Sequence, residues 1–114
     1  MHEQKVIIVE GKSDRKRLKR IVTEPVEIIC TNGTISSYHL EELLTPYESC
    51  ELFVFVDADE DGEKLRALFK SDFPFATHLY TEKVYKEVET TPYHVLAAEL
   101  HAAHIRVHPE LLKK

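Results

Sequence analysis

Four acidic residues follow the most apolar segment of the chain, at a spacing that suits a divalent cation. The stretch FVFVDADEDGEK, residues 53–64, runs directly into Asp57, Asp59, Glu60 and Asp61 before Gly62. Like charges this close repel one another, and burying them is costly. Three kinds of site share the pattern: a solvated helix-capping turn, a calcium loop and a magnesium site for phosphoryl transfer.

The calcium loop is excluded by its last ligand. Asp57, Asp59, Asp61 and Gly62 match the start of the EF-hand pattern, but its twelfth position needs a bidentate Glu and holds Leu68. The preceding segment also has the composition of a strand where an EF-hand requires a helix. A phosphatase of the haloacid-dehalogenase type also begins with apolar residues and D-x-D. Asp61 stands where that type usually has Thr or Val, so this reading stays a minor alternative.

The helix-capping turn stays open, with Asp59 or Asp61 as the cap and the acids favoured by the helix dipole. A single cap requires one acid, whereas carboxylates at alternate positions can converge on a hard cation. Choosing between a cap and a metal site therefore depends on which residues the neighbouring strands and helices bring close to the loop.

Strand and helix patterns alternate four times along the chain. Apolar, β-branched runs predict strands at residues 6–9, 26–30, 52–56 and 76–81, and helical spacing of apolar residues predicts a helix after each. Ser13 or Asp14 is expected to cap the first helix and Ser36 or Ser37 the second. The third helix is expected from about Gly62 and the fourth over 93–104, followed by a short edge strand over 104–108. The prediction is an α/β fold: a four-stranded, mainly parallel sheet with helices on both faces.

A parallel sheet brings the carboxyl ends of its strands to one edge, where ligands bind. Three polar loops would meet there: residues 10–12, residues 31–34 and residues 57–62. The sequence Gly11-Lys12-Ser13 suggests a phosphate loop, but Val6 occupies the place of the required earlier glycine. Glu10 and the acidic loop are therefore the chemical centre of the predicted edge.

The segments VIIVEGKSD and FVFVDADEDG resemble the two signatures of the Toprim family, the catalytic domain of topoisomerases, bacterial primases, recombination-associated proteins and certain nucleases. The resemblance covers roughly residues 5–82, and EGKSD is closer to the small ribonuclease that matures five-S ribosomal RNA. It implies one Toprim-like, Rossmann-like domain over 1–114, with a core at about 5–82 and a helical extension at 83–114. By position, Glu10 would be a general acid or base that also contacts metal, Asp57 and Asp59 would hold Mg²⁺ or Mn²⁺, and Asp61 would be a third acidic position.

A basic run lies beside Glu10 and suggests a phosphate-backbone contact, with a solvated helix face as the alternative. Lys12 and Arg15 are nearest the predicted edge. Lys83 and Lys86 follow the fourth strand and extend the candidate phosphate contacts. Gly33 and Thr34 could offer backbone N–H groups to a phosphate, or simply form an Asn-Gly turn. The run holds six cations in nine residues: Lys12, Arg15, Lys16, Arg17, Lys19 and Arg20.

Composition bounds the remaining choices. The 114 residues suit one domain, and the net charge of −5 divides into +2 over residues 1–30 and −7 over the rest. Cys30 and Cys50 are expected to be reduced, buried thiols of a cytoplasmic protein, and neither a signal peptide nor a membrane span is visible. His94, His101, His104 and His108 lack zinc partners at recognised spacing and are expected on a solvated or subunit-contact face.

These observations favour Mg²⁺-dependent phosphodiester chemistry on RNA or DNA, by a nuclease. Topoisomerases attack with a Tyr from a separate domain, so the resemblance leaves metal-activated water, and hence hydrolysis, for this domain. The alternative is a non-catalytic, metal-dependent module that binds nucleic acid or a nucleotide and acts with a partner protein. No membrane partner is expected.

Overall fold

Four parallel strands form one sheet in the spatial order β2-β1-β3-β4. The structure is a computed structural model that describes residues 4–33, 35–81 and 87–112. The strands are β1 (Lys5–Val9), β2 (Val26–Cys30), β3 (Glu51–Phe55) and β4 (Thr77–Leu79). The helices are α1 (Lys12–Ile21), α2 (Ser37–Leu44), α3 (Glu60–Asp72) and α4 (Tyr93–Ala102), with 3₁₀ turns at Thr45–Tyr47 and Pro109–Leu112. The predicted α/β class, with a parallel sheet and helices on both faces, is confirmed.

The two central strands are apolar because both faces of the sheet are covered. Alternate side chains point to opposite faces, so Ile7 and Phe53 pack on the side of α1 and α4, whereas Ile8 and Val54 pack on the side of α2 and α3. Residues 6–9 have no exposed surface. The helices on the two faces thus fix the register of β1 against β3, which decides where the acidic loops meet.

The caps of the first two helices differ in one respect from the expectation. Ser36 caps α2, since its hydroxyl accepts the N–H of His39 at 3.2 Å. The first helix instead begins after Gly11, and neither Ser13 nor Asp14 is its N-cap. Asp14 lies in the first turn of α1 and accepts the N–H of Gly11 at 3.1 Å. Its carboxylate therefore satisfies the backbone N–H of the N-cap residue from within the helix.

The predicted edge strand over 104–108 was wrong. Val107 makes a single antiparallel bridge with Val22, just after α1, and does not extend the sheet. Ile105 and Val107 are buried in the core beside α1 and α4, so the apolar alternation reflects packing against helices. The fourth strand is also shorter than expected, and α3 begins two residues earlier than Gly62.

The two cysteines are free thiols, as expected, but both are half-buried rather than buried. Cys30 lies at the carboxyl end of β2, and Cys50 lies just before β3, at the opposite end of the sheet. Across residues 4–33, 35–81 and 87–112, no helix combines the length and apolar character that spanning a bilayer requires.

Candidate metal and phosphate site

Glu10 and Asp57 meet at the carboxyl edge of the two central strands. The parallel pairing of β1 with β3 brings the ends of both strands side by side. The backbone N–H of Asp57 donates to Oε1 of Glu10 at 2.8 Å, across 47 residues of sequence. The predicted meeting of the first and third loops is therefore present as a direct contact.

Asp59 is held by the start of α3. It is the N-cap residue, and its Oδ1 accepts the N–H of Gly62 at 2.7 Å. Gly62 lies so close to the loop that an added Cβ would stand 1.9 Å from the carbonyl oxygen of Asp57. The turn from β3 into α3 is thus tight enough to need glycine, and it fixes Asp57 and Asp59 relative to each other.

A later segment of the chain also reaches Asp57. The N–H of Val88 donates to Oδ1 of Asp57 at 2.8 Å, and the Val88 side chain is fully buried in the core. Sequence reasoning missed this contact, because residues 87–91 are polar and follow no helical or strand period. The sequence signal was Val88, the one apolar residue of that stretch, which could have indicated that the segment is held against the core.

The carboxyl groups at this edge are held in conditions that disfavour their charged forms. Burial raises the pKa of Glu10 to about 7, and the nearby charges of Asp57, Asp59 and Asp14 act in the same direction. Burial and then the charge of Asp59 raise the pKa of Asp57, against the hydrogen bond from Val88. Burial also raises the pKa of Asp14 to about 6. Asp14 therefore joins Glu10, Asp57 and Asp59 in one acidic group. In the sequence, its place within the EGKSD stretch was the feature that pointed to this.

The donor chemistry of this edge suits a hard divalent cation. In the described part of the chain, one oxygen of each of Glu10, Asp57 and Asp59 accepts a backbone N–H, which leaves the second oxygen for another ligand. Within residues 4–33, 35–81 and 87–112, no three acidic, histidine or cysteine side chains are already close enough to hold a metal ion. A cation would therefore need side-chain rotations that bring the second oxygens together.

The remaining predicted site residues lie around this edge or outside the described residues. Asp61 is exposed in the first turn of α3. Gly33 has φ of 102° and follows Asn32 with φ of 60°, so the Asn-Gly turn is present. Thr34, Lys83 and Lys86 lie outside the described residues. The histidines at 94, 101, 104 and 108 are all exposed.

The basic run of α1 divides between two directions. Lys12 and Arg15 border a hollow beside β2. Arg17 donates to the carbonyl of Thr91 and lies 4.4 Å from the ring centroid of Tyr93, whose hydroxyl accepts from Arg20 at 3.2 Å. Arg17 and Arg20 therefore fasten the segment before α4, and Lys12 and Arg15 are the cations placed toward the β2 side.

A buried arginine supports the same edge from α3, and sequence reasoning missed it. Arg66 is 1% exposed and donates to the carbonyls of Val56, at 3.0 Å, and Leu79, at 2.6 Å. Its guanidinium lies 4.0 Å from the ring centroid of Tyr80. The signal was helical spacing, because Arg66 shares a face of α3 with Gly62 and Phe69. Arg66 thus ties the ends of β3 and β4 directly behind Asp57.

Fold and edge together define a class of α/β domain in which acidic side chains follow the first and third strands of a parallel sheet. The family model described as Toprim domain matches residues 5–99. The chain therefore belongs to the Toprim family, and the resemblance seen in its two acidic segments is confirmed.

Similar proteins extend this result over the whole chain. A solved structure described as a small TOPRIM domain protein from Bacillus stearothermophilus superimposes with a TM-score of 0.94 at 46% identity, covering 100% of this chain and 97% of that one. A Bacillus subtilis (strain 168) protein described as "Uncharacterized protein YusF" is 46% identical over 97% of this chain and 76% of its own length.

More distant relatives carry a functional name. "Ribonuclease M5 1" of Ligilactobacillus salivarius (strain UCC118) is 33% identical, and "Ribonuclease M5" of Bacillus anthracis is 30% identical, each over 73% of this chain. The match covers 44% of the length of each of these two ribonucleases. The chain thus spans less than half the length of these two ribonucleases.

Proposed function

We propose that this protein is a Mg²⁺-dependent nuclease that hydrolyses phosphodiester bonds in RNA or DNA, with Glu10, Asp57 and Asp59 at its centre. The observation that carries the proposal is the 2.8 Å contact between the Asp57 backbone and the Glu10 carboxylate, which joins the two acidic signatures at one edge. The ribonuclease names of the distant relatives support the same chemistry.

Each acid has a role that its surroundings suit. Asp57 and Asp59 hold the cation through the oxygens that the backbone leaves available, and Asp61 adds a carboxylate from the first turn of α3. Glu10, whose pKa is raised to about 7, takes or gives a proton near neutral pH. Bound Mg²⁺, or Mn²⁺ in its place, would neutralise phosphate charge and lower the pKa of a coordinated water.

The substrate backbone is proposed to lie along the carboxyl edge of the sheet. Lys12 and Arg15 contact phosphates on the β2 side of the acidic group, as the basic end of a chain whose net charge is −5. Gly33 and Thr34 are proposed to donate backbone N–H groups, and Lys83 a further charge. Lys12 and Arg15 concentrate positive charge on the β2 side of the acids, which orients a strand across them.

The test is a cleavage assay with matched variants. Labelled single- and double-stranded RNA and DNA are incubated with Mg²⁺, with Mn²⁺ and with chelator. We expect metal-dependent cleavage that falls at least about a hundredfold in Glu10→Gln, Asp57→Asn and Asp59→Asn. The control is Glu42→Gln, an exposed glutamate of α2 that should cleave like the wild type. Cleavage that persists in all three variants would sink the proposal.

A second function is favoured by one observation. In the described residues, no three acidic side chains lie close enough together to hold a metal ion. This is what we expect of a domain whose metal site is completed by a partner protein. In that case the chain is a non-catalytic, metal-dependent nucleic-acid or nucleotide-binding module. Substrate that stays intact in every metal condition, but is retained by the wild type only with Mg²⁺ or Mn²⁺, would identify this function. Calorimetry that finds no binding of either ion at millimolar concentration would remove the premise of both functions.

A further inference from the structure

A hollow of about 300 Å³ opens beside the free edge of the sheet, along β2. In the described part of the chain, β2 pairs with β1 alone, so its outer edge forms the floor of this hollow. Lys12 and Arg15 of α1 border one side, and Leu43, Pro46 and Tyr47 border the other. Its volume is at the low end of the range for small-ligand sites. It therefore suits a single nucleotide and not a duplex.

Residues that border the hollow are hydrogen-bonded to the loop after β1, residues 10–12. The N–H of Asn32, which borders the hollow, donates to the carbonyl of Glu10 at 2.7 Å. The thiol of Cys30, another bordering residue, donates to the carbonyl of Gly11 at 3.3 Å. Since β2 and β3 flank β1, the outer edge of β2 lies at least about 10 Å, two strand spacings, from the end of β3 at Asp57. A nucleic-acid strand lying across the acids would thus reach the hollow with a nucleotide one or more positions away from the one at the acids.

One side of the hollow is basic and the other is apolar, and a nucleotide likewise has an anionic phosphate and a base with apolar faces. Lys12 and Arg15 supply two positive charges against the single acid Glu27, in a chain that is negative overall. The opposite side is apolar and includes the aromatic ring of Tyr47 and the saturated ring of Pro46. Phosphates pair with Lys and Arg, and unstacked bases pack on aromatic and apolar surfaces.

We infer that this hollow binds an unpaired nucleotide of the substrate strand, its phosphate held by Lys12 and Arg15 and its base against Tyr47, Leu43 and Pro46. The inference rests on the proposed function and adds a substrate class to it. A base stacked within a duplex cannot enter the hollow, so the substrate is single-stranded or has an unpaired nucleotide beside the cleaved bond. A β-strand of another chain could also pair with the free edge of β2, but such pairing would not use the two cations.

The two free cysteines provide a probe and its internal control. Cys30 borders the hollow, whereas Cys50 borders a different hollow at the amino end of the strands. Both are half-buried, so an alkylating reagent can be used to follow each thiol by mass spectrometry in the same sample. The full chain carrying Glu10→Gln is used with Mg²⁺, so that the oligonucleotide stays intact.

The ligands are a single-stranded oligonucleotide, the same strand with abasic positions, and its duplex, and fluorescence anisotropy measures binding of each. At free single strand about ten times its Kd, we expect alkylation of Cys30 to slow about tenfold, and that of Cys50 to stay unchanged. The abasic strand and the duplex, each at the same multiple of its own Kd, should protect Cys30 at most about twofold.

Lys12→Ala and Arg15→Ala test the phosphate side. Each should lower the slope of log K against log salt concentration for the single strand by about 0.7, the value of one phosphate contact. Lys70→Ala, an exposed lysine in the last turn of α3, is the control and should leave the slope unchanged.

Four results would overturn the inference. Equal protection of Cys30 by duplex and single strand would remove its substrate class. Binding of the single strand without protection of Cys30 would refute the hollow while leaving the proposed function intact. Protection that rises with protein concentration in the absence of nucleic acid would show that a second copy of the chain pairs with β2. Failure to bind any oligonucleotide would refute the proposed function along with the inference, and anisotropy separates that case from the others.

Discussion

Replacing the proposed catalytic acid should stabilise the protein increasingly above about pH 5, and most at neutral to alkaline pH. Glu10→Gln keeps an oxygen that can accept the N–H of Asp57, but it removes the charge. The pKa of Glu10 rises from 4.5 to about 7 on folding. Between those values the folded state binds more protons than the unfolded state, so the free energy of unfolding falls as pH rises. The loss begins near the unfolded pKa and is complete above the folded pKa.

The size of the effect follows from the shift. At roughly 1.4 kcal/mol per pKa unit, a rise from 4.5 to about 7 corresponds to about 3 kcal/mol. Glu10 is only half-buried, and solvent screening lowers the expected gain in Glu10→Gln to about 2 kcal/mol at about pH 8, falling to about zero near pH 4. Asp14, whose pKa is raised to about 6, contributes a similar pH dependence that stays in both proteins.

The assay is urea unfolding of the wild type and Glu10→Gln across this pH range, in chelator, followed by circular dichroism. The exposed Glu42→Gln is the control and should follow the wild type at every pH. Added Mg²⁺ should stabilise the wild type most at about pH 8, where the carboxylates are charged and repel one another. A variant that is less stable than the wild type at all pH values, or whose gain does not vary with pH, would refute the argument from burial and repulsion.

Substitutions at four residues separate the scaffold from the site. Asp59→Ala should cost about 1 kcal/mol in unfolding free energy through the lost helix cap, whereas Asp59→Asn should keep the cap and weaken Mg²⁺ binding in calorimetry; equal stability losses would contradict this. Gly62→Ala should cost about 3 kcal/mol, because its Cβ would meet the Asp57 carbonyl at 1.9 Å, while Gly33→Ala, with no atom within 4 Å, should lose only about 1 kcal/mol from its positive φ. Arg66→Met should lower the thermal midpoint by at least about 5 °C through unpaired strand-end carbonyls, and an unchanged midpoint would show that those bonds contribute nothing.

The sheet and the meeting of its loops could be predicted because they follow from period and topology. Residues 6–9 and 52–56 are apolar on both faces, which is typical of strands in a covered sheet, and their alternation with helices favours parallel strands that end at one edge. Glu10 and Asp57 therefore had to lie at one edge. The cap at Asp59 and the metal-site interpretation were treated as alternatives in the sequence, but the structure uses one oxygen of Asp59 for the cap and leaves the other.

The contacts that hold the site could not be predicted, because they join residues without a local pattern. The N–H of Val88 reaches Asp57 from a polar stretch, across 31 residues. Arg66 reads as an ordinary helix residue until its buried position is known. The strand expected over 104–108 also failed. Alternating apolar residues indicate that one side of a segment is buried, but they do not show whether that side packs in a sheet or against helices.

The position of the acids at the end of the most apolar segment has a physical reason. The buried strand ends fix the backbone, and backbone N–H groups hold one oxygen each of Glu10, Asp57 and Asp59. Within the described residues, N–H groups and not a fixed cation place these three acids, and an N–H group orients a carboxylate without cancelling its charge. Arg66, the buried cation behind this edge, is directed at carbonyls of β3 and β4 instead. The edge thus keeps negative charge in a partly desolvated place, and a mobile divalent cation is the partner that this arrangement favours.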